Sequence, residues 1–275
     1  MGVHEVRSYA RMASRGDVGE DRNPASPDEL LAVIHLADAR TAADAVAGAR
    51  AAFPAWRSLP APSRGEILRK AADLWEARVE SIAVEFTREE GKTLAEATAE
   101  TLGNPLHPDT NVGPVVSEER LSAVLGFLEE ARHDGGKALA GGTRAEALGA
   151  GYYVTPTILS GIDAQSRVAR EEIFGPVAIM LEAEGFEEAV ALANNTPFGL
   201  TASLFTSDLG RALHLAREIR AGVVKINQES AGVEFQVPFG GMKQSSSSGS
   251  REQGKVARDF FTEWKTVYID PPPTQ

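Results

Sequence analysis

The sequence contains no cysteine. That absence excludes disulfides, thiolate metal sites, iron–sulfur ligation and every mechanism built on a cysteine nucleophile. Long apolar runs are also missing. The longest, near Gly175 to Leu181, falls far short of the roughly 18 residues that a membrane helix requires. Positive charge is in the minority, with 28 Lys and Arg against 39 Asp and Glu and a net charge of −11. With no basic surface to release counterions, neither nucleic acid nor an anionic membrane is expected as a partner. The N-terminal stretch to Arg22 is charged throughout and holds no apolar signal segment. Val6 stands where a myristoylation motif wants Ser or Thr, so the expectation is a soluble cytoplasmic protein. What is present is an ordinary globular composition, 43% hydrophobic over 275 residues, enough for a sizeable core.

Along the chain, residues 1–20 read as a polar, flexible lead. Thr41 to Asp44 fits a capping box ahead of an Ala/Val-rich helix that Pro54 and Pro60 should break. Ser63 to Glu66 fits a second box, opening a helix with Ile67, Leu68, Ala71, Leu74 and Trp75 on one face. Helical patterns also cover 79–90 and 94–100, so the first hundred residues show little strand signal. A turn-rich connector follows Leu102, and Ser117 starts a helix that runs to about His133, where Gly135-Gly136 stops it. Strands are expected at 152–159, 177–181, 200–206 and 222–226, with helices at 186–194 and 209–220 between them. That alternation predicts an α/β fold with a mostly parallel sheet and helices on both faces, plus the N-terminal helical region. A last helix near 251–261 should precede a terminal strand, Lys265 to Ile269.

Several suggestive motifs fail on spacing. Gly91-Lys92-Thr93 ends like a phosphate loop, but Phe86 stands where the earlier glycine is needed. The five histidines, His4, His35, His107, His133 and His214, lie too far apart for a short-range metal pair, and no metal site is expected. No serine-hydrolase elbow and no Gly-x-Gly-x-x-Gly fingerprint follows any strand.

A further set of segments runs in a consistent order: Asn23-Pro-Ala25, Ala51-Ala-Phe-Pro-Ala-Trp-Arg57, Glu89-Glu-Gly-Lys-Thr-Leu-Ala-Glu96 and Pro108-Asp-Thr-Asn-Val-Gly-Pro114. Gly151-Tyr-Tyr-Val-Thr-Pro-Thr157, Arg170-Glu-Glu-Ile-Phe-Gly-Pro176, Ala193-Asn-Asn-Thr-Pro-Phe-Gly-Leu200, Pro238-Phe-Gly-Gly-Met-Lys243 and Arg251-Glu-Gln-Gly254 complete it. Together they resemble the NAD(P)-dependent aldehyde dehydrogenase superfamily over nearly everything after residue 20. Ala231 to Gly241 is most similar to the branch that oxidises ketoglutarate semialdehyde. The resemblance also implies an internal truncation. Between Ala99 and Leu102 the chain passes directly to the segment that follows the family's catalytic loop. The block left out would hold the Rossmann core, the oxyanion-hole asparagine, the general-base glutamate and the nucleophilic cysteine.

By the same resemblance, the domains would be a lead (1–20), a helical remnant of the cofactor-binding domain (21–101) and a catalytic-domain-like α/β region (102–275) ending in an oligomerisation strand. Glu172 matches the carboxylate that bonds the nicotinamide ribose, Phe174 the ring beside the nicotinamide and Phe239 an aromatic of the substrate tunnel. Each also has a plain reading, as a solvated acid or a core aromatic. Lys243 and Arg251 read as surface or loop-tethering cations. No catalytic residue is assigned. His107, where relatives often carry Asp, is a candidate acid/base only if the pocket has been repurposed. The family uses NAD or NADP, and no cofactor is expected for this chain alone.

Three functions follow. One is a non-catalytic, aldehyde-dehydrogenase-like chain that forms a homo-oligomer or binds a full-length relative. Another is half of a split enzyme completed in trans. The third is a repurposed pocket doing cofactor-free cyclisation, hydration or isomerisation of a carbonyl compound. The apolar faces of the early helices (Leu68, Leu74, Trp75, Val84, Phe86) must find a surface or remain exposed.

Overall fold

Leu30–His35 (β3) is the centre of a three-stranded sheet in the computed structural model, which describes residues 4–6, 18–93, 102–246 and 251–269. His4–Val6 (β1) pairs with it in parallel and Val18–Arg22 (β2) antiparallel. Two expectations are corrected here. Residues 4–6 and 18–20 lie in the stretch read as a flexible lead, and the early region holds strands where periodicity shows none. The reason is that β2, Val-Gly-Glu-Asp-Arg, has no apolar alternation. Its ladder to β3 and the Arg22–Glu20 ion pair at 2.7 Å hold it instead. In β3 only Leu31 and Ala32 are buried.

The chain divides into two compact units, 1–162 with 173–180, and 163–172 with 181–275. In the first, Ala39–Ser58 (α1) is capped by Asp38, whose carboxylate accepts from the Thr41 amide and hydroxyl, each at 2.7 Å. The helix therefore starts ahead of the expected Thr41 cap. It also runs through Pro54, forgoing the one ladder bond that proline cannot donate. Ala61–Glu76 (α2) begins after Pro60, which fixes the backbone at its entry, so the Ser63 box is not used as a cap. Val79–Glu90 (α3) ends at Gly91, whose φ of +74° closes the helix in the left-handed region. The expected helix over 94–100 lies outside the described residues.

No residue of α2 is buried; Leu68, Leu74 and Trp75 are each more than 60% exposed, Phe86 is exposed and Val84 is half-buried. The apolar face foreseen for these helices is thus open in the single chain.

Arg88 of α3 pairs with Glu29, whose other carboxylate oxygen accepts from the buried Asn23 amide at 2.6 Å. The Asn23 hydrogen bond, and next the Arg88 contact, hold the Glu29 carboxyl below its ordinary value of 4.5. A carboxyl depressed in the folded state contributes stability above the ordinary value, and that contribution is lost as pH falls through the depressed one. Burial acts in the opposite sense on Asp21 and Glu89, pushing both carboxyls up. The informative quantity is therefore a difference between proteins. The melting temperature of Glu29→Gln should trail wild type at neutral pH and converge with it as pH drops below about 4. A gap that stays constant with pH would refute the assignment.

Glu118–His133 (α4) carries the buried stripe Leu121, Val124, Phe127, Leu128 and Ala131, spaced three and four residues apart. Ser117 caps it, accepting from the Arg120 amide at 3.1 Å, and Gly135 (φ +93°) follows its end, as the sequence predicts. Lys137–Ala140 (β4), Thr157–Ser160 (β5) and Val177–Ile179 (β6) form a second sheet, antiparallel then parallel. The strand expected over 152–159 is shorter because Pro156 has no N–H to donate; upstream only an isolated Arg144–Val154 bridge forms.

The second unit begins with the short helix Arg167–Arg170 (α5). Phe186–Asn194 (α6), Thr201–Leu204 (β7), Leu209–Glu218 (α7) and Val223–Ile226 (β8) follow, with β7 and β8 parallel. Val190, Leu215, Ile219 and Ala221 form its core, with Phe186, Ala202, Leu204, Val224 and Ile226 packed on it. The Asn194 side chain closes the end of α7, donating to Glu218 O and accepting from the Arg220 amide. Ala257–Phe260 (α8), with a 3-10 turn before it, is all that forms of the last expected helix. Lys265 to Ile269 has no strand partner among the described residues, and Tyr268 is 90% exposed; extended chain becomes a strand only against an edge.

The fold is α/β. Three of the five described strand pairings are parallel, distributed over three small sheets. Among the described residues no helix is long and apolar enough to cross a membrane.

Candidate functional site

The most unusual backbone position in the first unit is Phe174. It has φ of +51°, and its ring is 69% exposed. A bulky residue in the left-handed region costs of order 1–3 kcal/mol, a strain that clusters at ligand sites. Burial would normally recover such a cost through apolar contact, and here it does not. The Arg120 guanidinium lies over the ring, 5.6 Å from its centroid.

These two side chains stand at a cavity of about 580 Å³, bounded by residues 90–93, 111–116, Arg120 and 174–176. Its size is within the range of small-molecule pockets. The floor depends on a close backbone approach. Gly91, beyond the end of α3, sets its carbonyl against Gly113, where a Cβ would collide with the Gly91 oxygen. The charged lining is Glu90, Lys92 and Arg120. Lys92 pairs with Glu90 at 3.2 Å and lies 5.0 Å from the centroid of the Phe86 ring. Arg120 is half-buried and has no carboxylate partner among the described residues. The cavity therefore carries one uncompensated positive charge in a chain of net charge −11.

Sequence reasoning missed Arg120. One signal was available: the Ser117 cap places it in the first turn of α4, where the helix dipole favours acids such as Glu118 and Glu119 and disfavours a cation.

The other candidates are dispersed. His107 occupies an exposed turn; its Nδ1 accepts from the Asp109 amide at 3.3 Å and lies 3.8 Å from the Asp109 carboxylate. It does not line the cavity. Glu172, in the second unit, is exposed. Phe239 is half-buried, and its carbonyl accepts from the Glu252 amide at 2.9 Å. Lys243 tethers a loop, its ammonium donating to Asn194 O at 2.9 Å and Thr196 O at 3.0 Å, and burial, then nearby Arg220, lowers its pKa. Arg251 buries one guanidinium nitrogen without a hydrogen-bond partner, beside Gly222. No group of three metal-ligating side chains exists among the described residues.

The fold is α/β, and comparison with known proteins gives its family. The model of the aldehyde dehydrogenase family matches residues 12–103 and 98–267, so the chain belongs to that family. It is 45% identical over 188 residues to the alpha-ketoglutaric semialdehyde dehydrogenase of Bacillus subtilis, covering 68% of this chain and 38% of that protein. The Haloferax volcanii alpha-ketoglutarate semialdehyde dehydrogenase is 43% identical over 172 residues, covering 62% and 36%. An NAD+ complex of an aldehyde dehydrogenase from Bacillus cereus matches with a TM-score of 0.58 at 36% identity, covering 62% of this chain and 34% of that one. The chain thus spans well under half the length of the relatives it matches.

The expectation of no cofactor is corrected by these comparisons. Matching structures, betaine aldehyde dehydrogenase and indole-3-acetaldehyde dehydrogenase among them, are NAD+ complexes. The cavity fits one end of such a cofactor: the exposed Phe174 face suits a flat ring, and Arg120 suits an anionic group.

Proposed function

We propose that this chain is a semialdehyde-branch member of the aldehyde dehydrogenase family that does not oxidise aldehydes by itself. The observation that carries this reading is the absence of any cysteine from the 275 residues. Oxidation in the family needs a thiolate to add to the aldehyde, a donor to stabilise the oxyanion and a nicotinamide to accept hydride. Two further findings support the reading. The family model is matched in two stretches that meet at 98–103, and the alignment with the Bacillus subtilis relative spans 38% of that protein. Loss of a nucleophile that works as a unit with its neighbours costs on the order of 10⁶-fold in rate.

When bound, NAD+ supplies the hydride acceptor. In this chain Phe174, with its open ring, would wall the nicotinamide. We further propose that the chain works in association, with another copy or with a chain that brings the thiol. The open faces of α2 and the exposed Phe261, Trp264 and Tyr268 support this.

The test is a spectrophotometric assay with alpha-ketoglutaric semialdehyde and NAD+. The purified chain alone should form NADH no faster than the protein-free reaction, while light scattering should report a mass above that of one chain. NADH formation by the chain alone overturns the reading. Formation only after a second family chain is added assigns it to an enzyme completed in trans.

A further inference from the structure

We propose that the apolar face of α2 is a self-docking surface, on which α2 of a second copy lies antiparallel about a two-fold axis at Ala71. The inference rests on the association proposed above and names the surface that makes it. It does not depend on whether the chain oxidises aldehydes.

Burial, symmetry, area and charge carry it. Of α1 and α2, 20 and 16 residues long, only Thr41 is buried, so packing within the chain holds neither helix. Isolated helices of that length are marginal in water, which leaves the burial to a partner. The polar side of α2 is already engaged, with Arg69 and Asp73 paired at 2.7 Å. Its apolar side is symmetric about the exposed Ala71: Ile67 and Leu68 stand four and three residues before it, Leu74 and Trp75 three and four after it. A two-fold at Ala71 therefore sets each bulky pair over the partner's opposite pair. The small side chains at the centre let the helix axes approach to the usual distance of about 8–10 Å.

The area matches what a stable dimer needs. Ile67, Leu68, Leu74 and Trp75 are 51–66% exposed. At roughly 200 Å² for a large side chain, they leave about 400–500 Å² in water on each copy. Two copies would cover about 800–1,000 Å² of apolar surface. At the usual apolar share of about 57%, the whole interface is about 1,400–1,750 Å², a standard size. Charge agrees. The chain carries −11, yet Ala39–Glu76 holds six basic against four acidic residues, a net of +2. The acidic excess that keeps copies apart thus lies elsewhere in the chain.

With no cysteine in the chain, a single introduced thiol reports a single position. Helix axes about 8–10 Å apart, with Cα atoms about 2.3 Å from each axis, bring the two central Cα atoms to about 3.4–5.4 Å. That overlaps the span of about 4.4–6.8 Å that a disulfide bridges. In the full chain, Ala71→Cys treated with diamide should form a covalent dimer at least tenfold faster than Glu66→Cys, whose position lies on the polar side of α2. Analytical ultracentrifugation of wild type should show a concentration-dependent dimer. Leu74→Glu, at an exposed site, should weaken that dimer at least tenfold and keep the circular dichroism spectrum of wild type diluted to the single chain. If Leu74→Glu alters the spectrum, the two thiol variants decide. Equal linking rates for the two thiols overturn the proposal even in a dimer, and the association above then stands on another surface. A wild type that sediments as one chain at submillimolar concentration overturns self-docking. If that single chain binds a full-length relative, the association stands and the face belongs to the relative; if it binds neither, the association falls too. NADH formation by the chain alone would refute its inactivity and leave this surface standing.

Discussion

Leu128→Ala should destabilise the first unit by about 2–5 kcal/mol, the usual cost of emptying a fully enclosed leucine site. Leu128 is 1% exposed and lies on the stripe of α4 that includes Val124 (0%) and Ala131 (0%). Its surroundings have little freedom to close the gap. On the same helix Val124 packs against the Gly175 backbone so tightly that a Cβ at Gly175 would lie 2.7 Å from the valine methyl. The matched control is Leu68→Ala in α2. Leu68 is 62% exposed in the single chain, so at a dilution where light scattering reports one chain its truncation should shift stability by no more than about 0.5 kcal/mol. Urea midpoints of the two variants, measured at one protein concentration, make the comparison. An equally large loss at Leu68 would show that a partner covers α2 in solution, and the loss would then shrink on dilution.

Gly113→Ala should cost about 1–3 kcal/mol, the range for forcing extra volume into a packed site, and should also close the cavity to ligand. The new methyl would fall on the Gly91 carbonyl oxygen. Gly91 cannot easily retreat, because its own φ of +74° and its contact with Pro114 hold it at the end of α3. Displacing Gly91 moves Lys92 and Thr93, which form one wall. Thermal melting would report the first effect and calorimetry with NAD+ the second. A variant that melts and binds like wild type would mean the two backbones do not approach this closely. A methyl at Gly91 would instead meet Pro114, the residue after Gly113, so the effects of Gly113→Ala and Gly91→Ala should fall short of additive.

How far the sequence could be read differs by element. α3, α4 and α6 match their expected bounds to within a residue, because each combines a 3.6-residue apolar rhythm with a cap or stop: Ser117 before α4, Gly91 after α3. β7 and β8 were likewise legible as short apolar runs on either side of a helix. β2 was not, since its residues are polar on both faces and only pairing with β3 makes it a strand. Lys265 to Ile269 failed in the opposite direction, a strand-like sequence with no edge to join among the described residues.

The candidate site divides in the same way. Phe174 was legible from the Arg170 to Pro176 motif, whereas Arg120 reads as one more polar residue of an amphipathic helix, outside its apolar stripe. What made Arg120 a site residue is its distance to a ring 54 positions later in the chain, which no local pattern encodes.

By itself, then, the sequence determined the family, the α/β class and the lack of a thiol, because motif order and composition do not depend on how distant segments meet. Tertiary structure alone decided three things: that α2 stays uncovered, that Gly91 meets Gly113, and that a lone cation faces a strained aromatic across a cavity. Each arises from contacts between segments far apart in the chain, where shape and charge meet only after folding.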